Sequence, residues 1–320
     1  MKTAENRNQA QQGKFERQLI EKEDGYPEVK IDFSALECFE DFLAGGQPLE
    51  AVFNHPAYQI IRAHGQRFGV KIGLAEVEQA LRGEDSPFYG LRNLAANLPR
   101  IHKLAETIRA QRGVWQAIAE AEIRRLLPEE NLDGITIYPL HGYDMGIGML
   151  DTVCMNLNIE RYLREPREFL YYLIHEAMHV VYERCHTVEQ AALMTTPARQ
   201  QAYFGLWVQS EGFAVYAPLR LRTENGDLAD ADYQTLLDPA ALKDSLRICH
   251  EIRQMLQSDA PLPPDEFLRQ IYGSHRVTYR VGCEILRRIE QRMGPQALKA
   301  AFLLKGEDFL EQFDSLIALS

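Results

Sequence analysis

The chain has 320 residues, of which 46% are hydrophobic and 25% charged, and its formal net charge is −11. That length suits one large domain or two intimate ones, with a core big enough to need no disulfide staples. The acidic balance argues against nucleic acid as a partner, because phosphate binding needs a concentrated Lys/Arg field.

Residues 1–30 are polar and rich in Gln, Glu and Lys, and are expected to be partly mobile. They lack the apolar run of a secretory signal, and no stretch approaches the ~20 apolar residues that span a bilayer. The five cysteines are widely spaced with no CxxC pair, which reads as reduced thiols. A cytoplasmic protein without a membrane partner is the expectation. Residues 31–130 read as helices. Ser34 with Glu37 three positions on resembles a capping box, and Gly45-Gly46 ends that helix. Apolar residues at helical spacing continue to Leu127.

From residue 131 to 320 the pattern predicts a second region. Ile135-Thr136-Ile137-Tyr138 is β-branched and aromatic, and Ile147 to Asn156 reads as an edge strand, with His141 and Asp144 in the turn between them. A helix follows in REFLYYLIHEAMHVVYERCH, apolar on nearly every side and therefore central. After a looser stretch near Thr195-Thr196-Pro197, another helix carries FGLWVQSEGFAVYAPLRLR with Glu211, and Ser274 is placed to cap the long helix that ends at Gly294-Pro295. The arginine pairs Arg220/Arg222 and Arg287/Arg288 read as solvated helix faces. The fold class is α+β, predominantly helical, with a small sheet beside a metal-binding helix.

His175-Glu176-x-x-His179 carries the chemistry. Positions i and i+4 share a helix face, so both imidazoles can bind one metal, and zinc suits neutral imidazoles. Glu176 lies about 100° further round, beside the metal, where it can take a proton from an activated water. A third ligand is needed. Tyr182 and Cys185 stand where a metzincin needs a glycine and a histidine, and His186 comes one residue too late. Glu211, within SEGFAVY, is the better candidate, and its small neighbours Gly212 and Ala214 are expected to let its helix approach that of His175.

With these residues in place, the sequence resembles the gluzincin zinc metallopeptidases over roughly residues 131–290. The resemblance implies a gluzincin-like catalytic core with Zn²⁺ on His175, His179 and Glu211, and Glu176 as general base. It also implies a downstream Tyr or His for the oxyanion, here Tyr279 or His275, which share a face of the helix that is read as starting at His275. The expected activity is hydrolysis of peptides or unfolded protein segments, with the N-terminal helices covering the cleft. The alternatives are a non-catalytic zinc-binding regulatory protein and a zinc-free helical interaction protein.

Overall fold

The computed structural model describes residues 28–127, 134–190, 193–273 and 275–318. It is mostly helical around a four-stranded sheet, in the order β1-β2-β4-β3. The strands are β1 (Val29–Ile31), β2 (Ile135–Leu140), β3 (Gly146–Met149) and β4 (Thr152–Asn156). β1 and β4 both run parallel to β2, while β3 pairs antiparallel with β4 and forms one edge. The expected strand at 147–156 is thus a hairpin, whose first arm is the edge and whose second is internal. β1 falls at the end of a segment expected to be polar and mobile, and residues 1–27 of that segment lie outside the described residues.

The two edges differ. On β1 the backbone N–H groups of Val29 and Ile31 donate to Glu120 Oε1 and Gln116 Oε1, each at 3.0 Å. These acceptors come from the long helix α5 (Leu94–Arg124), so that edge is closed to another strand. Among the described residues β3 has no such side-chain clasp beyond the contact of Gly148 with Glu176 described below.

Before β2 run α1 (Ser34–Leu43), α2 (Leu49–Asn54), α3 (Pro56–Arg67), α4 (Leu74–Leu81) and α5. Ser34 does not cap α1. Its hydroxyl bonds His55 Nε2 at 3.0 Å, and Asp32 accepts the Ser34 N–H at 2.9 Å. After β4 come α6 (Glu160–Arg164), α7 (Arg167–Cys185) and α8 (Pro197–Tyr216). Cys154 Sγ donates to Ala57 O of α3, whereas its neighbour Met155 lies with Glu176 of α7. Successive strand residues face opposite ways, so the sheet is layered between α3 and α7.

The chain continues through α9 (Leu219–Asn225), α10 (Ala231–Leu237), α11 (Pro239–Leu256) and α12 (Pro264–Tyr272) to α13 (Val277–Met293). Then α14 (Pro295–Phe302) and α15 (Gly306–Gln312) close the fold. One contiguous apolar core runs from Val29 to Ile317. Arg222 is not the solvated residue its pairing with Arg220 suggested. It is 1% exposed, held by Glu168 of α7 through two bonds of 2.8 Å, and covered by Tyr171 and Tyr233. Arg287 and Arg288 are likewise tied to the buried Glu284. Among the described residues no helix is long and apolar enough to cross a membrane.

Candidate metal centre

α7 is buried along most of its length, which fixes its rotation and turns His175 and His179 together toward α8. Their Nε2 atoms stand 3.3 Å apart. Glu211, in the middle of the equally buried α8, places Oε2 at 3.5 Å from His175 Nε2 and 3.4 Å from His179 Nε2. A tetrahedral ion with bonds of about 2.0–2.1 Å has ligand-to-ligand edges of roughly 3.3–3.4 Å. The three observed separations match such an edge. Glu211 Oε2 is also buried without a hydrogen-bond partner, an arrangement that costs free energy unless something positive meets it.

The surrounding groups orient the imidazoles. Ser210 Oγ lies 3.0 Å from His179 Nδ1, and the Ala214 backbone bonds the ring of His175. With their outer nitrogens so engaged, both rings turn Nε2 inward, the usual device around metal-ligating histidines. Tyr279 of α13 stacks parallel to His175, with 6.3 Å between ring centroids and 7° between planes. Trp207 flanks His179 at 6.4 Å.

Glycines set the close approaches. A Cβ on Gly148 would stand 2.0 Å from the Glu176 carbonyl oxygen, and one on Gly146 would stand 2.8 Å from Glu176 Cγ. Strand β3 therefore lies flush on α7 at Glu176, and the Gly148 N–H bonds the Glu176 carboxylate. Gly212 works differently from the expectation that it serves the α7 contact. Its Cβ would meet the backbone of Gly282 at 2.6 Å, and a Cβ on Gly282 would meet Val208 O at 2.0 Å. The Gly212/Gly282 crossing joins α8 to α13 and so brings Tyr279 beside Glu211.

The electrostatics are those of buried carboxylates set against an imidazole pair. Burial, aided by Glu211 and Asp144, pushes Glu176 up to about 8, against the opposing pull of His179 and the Gly148 N–H. Burial would strip His179 of its proton, but the charge of Glu211 and its contact, with Glu176 behind, raise it to about 9. Burial and the neighbouring His179 hold His175 well below the usual histidine range. His179 thus keeps a positive charge against Glu211, the role a divalent ion would take over. Burial, then the Glu211 carboxylate, keep the Tyr279 hydroxyl protonated well beyond neutral pH.

His175, Glu176, His179, Glu211 and Tyr279 meet at one place, and the two histidines with Glu211 form a candidate metal cluster among the described residues. His275 does not join them. It is exposed in the turn before α13, because Arg276 takes a left-handed φ of 44° and the helix begins only at Val277, so His275 and Tyr279 share no helix face. Ser274, the expected cap, lies outside the described residues. His141 is wholly buried away from the cleft, against Phe39 and 3.6 Å from Glu40. Asp144 is exposed but close enough for its charge to reach Glu176. His186 stacks on Tyr182 and bonds Phe302 O, as a helix-end residue would.

Sequence reasoning missed Ser210 and Arg276. Ser210 had one signal, its place directly before Glu211. No family model, curated protein or solved structure matches the chain.

Proposed function

We propose that this chain is a zinc-dependent peptidase with His175, His179 and Glu211 as ligands and Glu176 as general base. The observation that carries the reading is the buried Glu211 Oε2, without a hydrogen bond and facing both Nε2 atoms at tetrahedral-edge distances. When bound, zinc supplies Lewis acidity, lowering the pKa of a water to about 7 and polarising a carbonyl. Glu176 is placed to take the proton of the attacking water and to deliver it to the leaving amine. The Tyr279 hydroxyl, kept protonated, donates toward the oxygen on which charge develops.

The substrate class follows from the sheet. A peptide can add to the outer edge of β3, directly above Glu176, while the clasped edge of β1 cannot take one. The helices before β2 bound the same cleft: His64 of α3 bonds the Tyr143 hydroxyl at 3.2 Å, and Arg67 pairs with Glu183 of α7. This favours peptides or unfolded segments over intact folded proteins.

The test is elemental mass spectrometry on the purified chain together with cleavage of a quenched-fluorescence peptide library. About one zinc per chain, with hydrolysis abolished by a chelator and restored by zinc, is the expected result. A chain that takes up no stoichiometric metal after incubation with zinc would overturn the reading.

A further inference from the structure

Arg276 stands at the lip of the site in an arrangement that the catalytic reading leaves unused. It is an arginine at a left-handed φ of 44°, a backbone conformation unfavourable for any residue with a side chain of this size. Its Nε donates to both carboxylate oxygens of Asp232, at 3.0 and 2.8 Å, and its guanidinium carbon lies 3.6 Å from the Tyr279 ring centroid. The head group is therefore fixed in position and plane. Its two terminal nitrogens have no hydrogen-bond partner among the described residues, and 41% of the side chain is exposed.

The local charge is also unbalanced. Asp232, whose side chain is 7% exposed, receives Arg280 Nε at 2.9 Å as well as Arg276. One carboxylate thus serves two guanidiniums. Glu211, whose charge also reaches Arg276, faces the histidines. An immobilised, half-exposed guanidinium with its outer edge free and a positive charge left over matches the planar fork of a carboxylate.

We propose that Arg276 binds a carboxylate of the substrate and so selects peptides that carry a free α-carboxylate or an acidic side chain close to the cleaved bond. The inference rests on the peptidase reading. Arg276 covers one face of Tyr279, and Tyr279 stacks on His175. The guanidinium carbon thus lies no more than about 10 Å from the His175 ring centroid, the reach of about three extended residues at roughly 3.3–3.6 Å each, so the recognised group lies within about three residues of the scissile bond. Arg276 acts here as a binding residue and takes no part in proton transfer.

The experiment compares matched peptides cleaved by the zinc-loaded chain: one with a free C-terminal carboxylate, its C-terminal amide, and a pair exchanging Glu for Gln next to the cleaved bond. Wild-type kcat/KM is expected to favour the carboxylate member of one pair at least tenfold, mostly through KM. The pair that shows the preference tells whether the α-carboxylate or the side chain is read. In Arg276→Gln the ratio should fall to near one. Should that variant misfold, Arg276→Lys keeps the charge without the fork and should lower the ratio several-fold, and the wild-type ratios stand without any variant. Equal rates within both pairs in the wild type, or a preference that survives Arg276→Gln, overturn the inference while leaving the peptidase reading intact. No cleavage of any peptide by the zinc-loaded chain overturns both.

Discussion

The two halves of the candidate centre are built differently. His175, Glu176 and His179 share one helix, so a single rotation of α7 sets all three, and that rotation is fixed by burial on nearly every side. Glu211, Tyr279 and Arg276 come from α8 and from the start of α13, and meet only because Gly212 and Gly282 let two helix backbones touch. The first half is local geometry; the second is the product of a helix crossing. The contrast teaches that removing a side chain from the first half should spare the second, whereas a disturbance of the crossing should disable the proposed ligand set while leaving Glu176, the proposed base, in place.

Four measurements break or sharpen that division. The largest effect is expected for Glu176→Gln, which should lower kcat by about 10²–10⁴ with zinc content and thermal midpoint unchanged. Loss of metal in this variant would show that Glu176 belongs to the ligand set. Next, Glu211→Ala should take zinc from about one per chain to well below stoichiometric, read by elemental analysis. It should also abolish any zinc-dependent rise in the thermal midpoint.

A smaller pair of effects separates the two glycine contacts. Gly282→Ala places a Cβ against Val208 O and should destabilise the chain by about 1–3 kcal/mol in urea unfolding, with weakened zinc affinity. Gly148→Ala presses instead on the Glu176 carbonyl and, less closely, on His179 Cβ, and should reduce turnover more than it weakens zinc affinity. Equal loss of metal in both variants would erase the distinction between the halves.

Per pH unit, the smallest effect concerns His64. Burial first, then Arg67 and His179, hold its pKa down at about 4 against an ordinary 6.5. As pH falls, the unfolded chain takes the proton before the folded one. The stability due to neutral His64 is therefore complete above pH 6.5 and is lost progressively toward pH 4, at no more than about 1.4 kcal/mol per pH unit. Urea unfolding of wild type and His64→Gln across that window should show the shallower slope in the variant, and parallel slopes would disprove the assignment.

This division also explains what could be read in advance. The histidine pair and Glu176 follow from helical periodicity alone, and Glu211 from a motif on a second helix. The partner of Gly212 could not be read, because a glycine in a helix announces a close approach without saying to what. Nor could the left-handed Arg276 be foreseen, since arginine carries no sequence signature for positive φ, and its effect was to exclude His275 from the helix assumed to include it. Strand β1 was missed because three residues, Val29 to Ile31, give too short an alternation to stand out from a polar segment. Arg222 was misread because its partner, Glu168, lies far away in sequence, and buried ion pairs look like surface charge until the fold joins them.

The parallel pairing of β1 with β2 bears on how the chain assembles. Residues 32–134 separate the paired strands, so the sheet can form only after every helix of the N-terminal region has been made. At roughly 5–20 residues per second on a ribosome, β1 waits on the order of 5–20 s for its neighbour. In that interval Gln116 and Glu120 of α5 emerge first, and they can engage the Ile31 and Val29 amides before Ile135 has emerged to pair with them. The side chains that close the edge of the finished sheet are then also a temporary docking place for a strand born too early, and their loss should weaken the fold, by leaving the Val29 and Ile31 amides without acceptors, as well as delay assembly during synthesis.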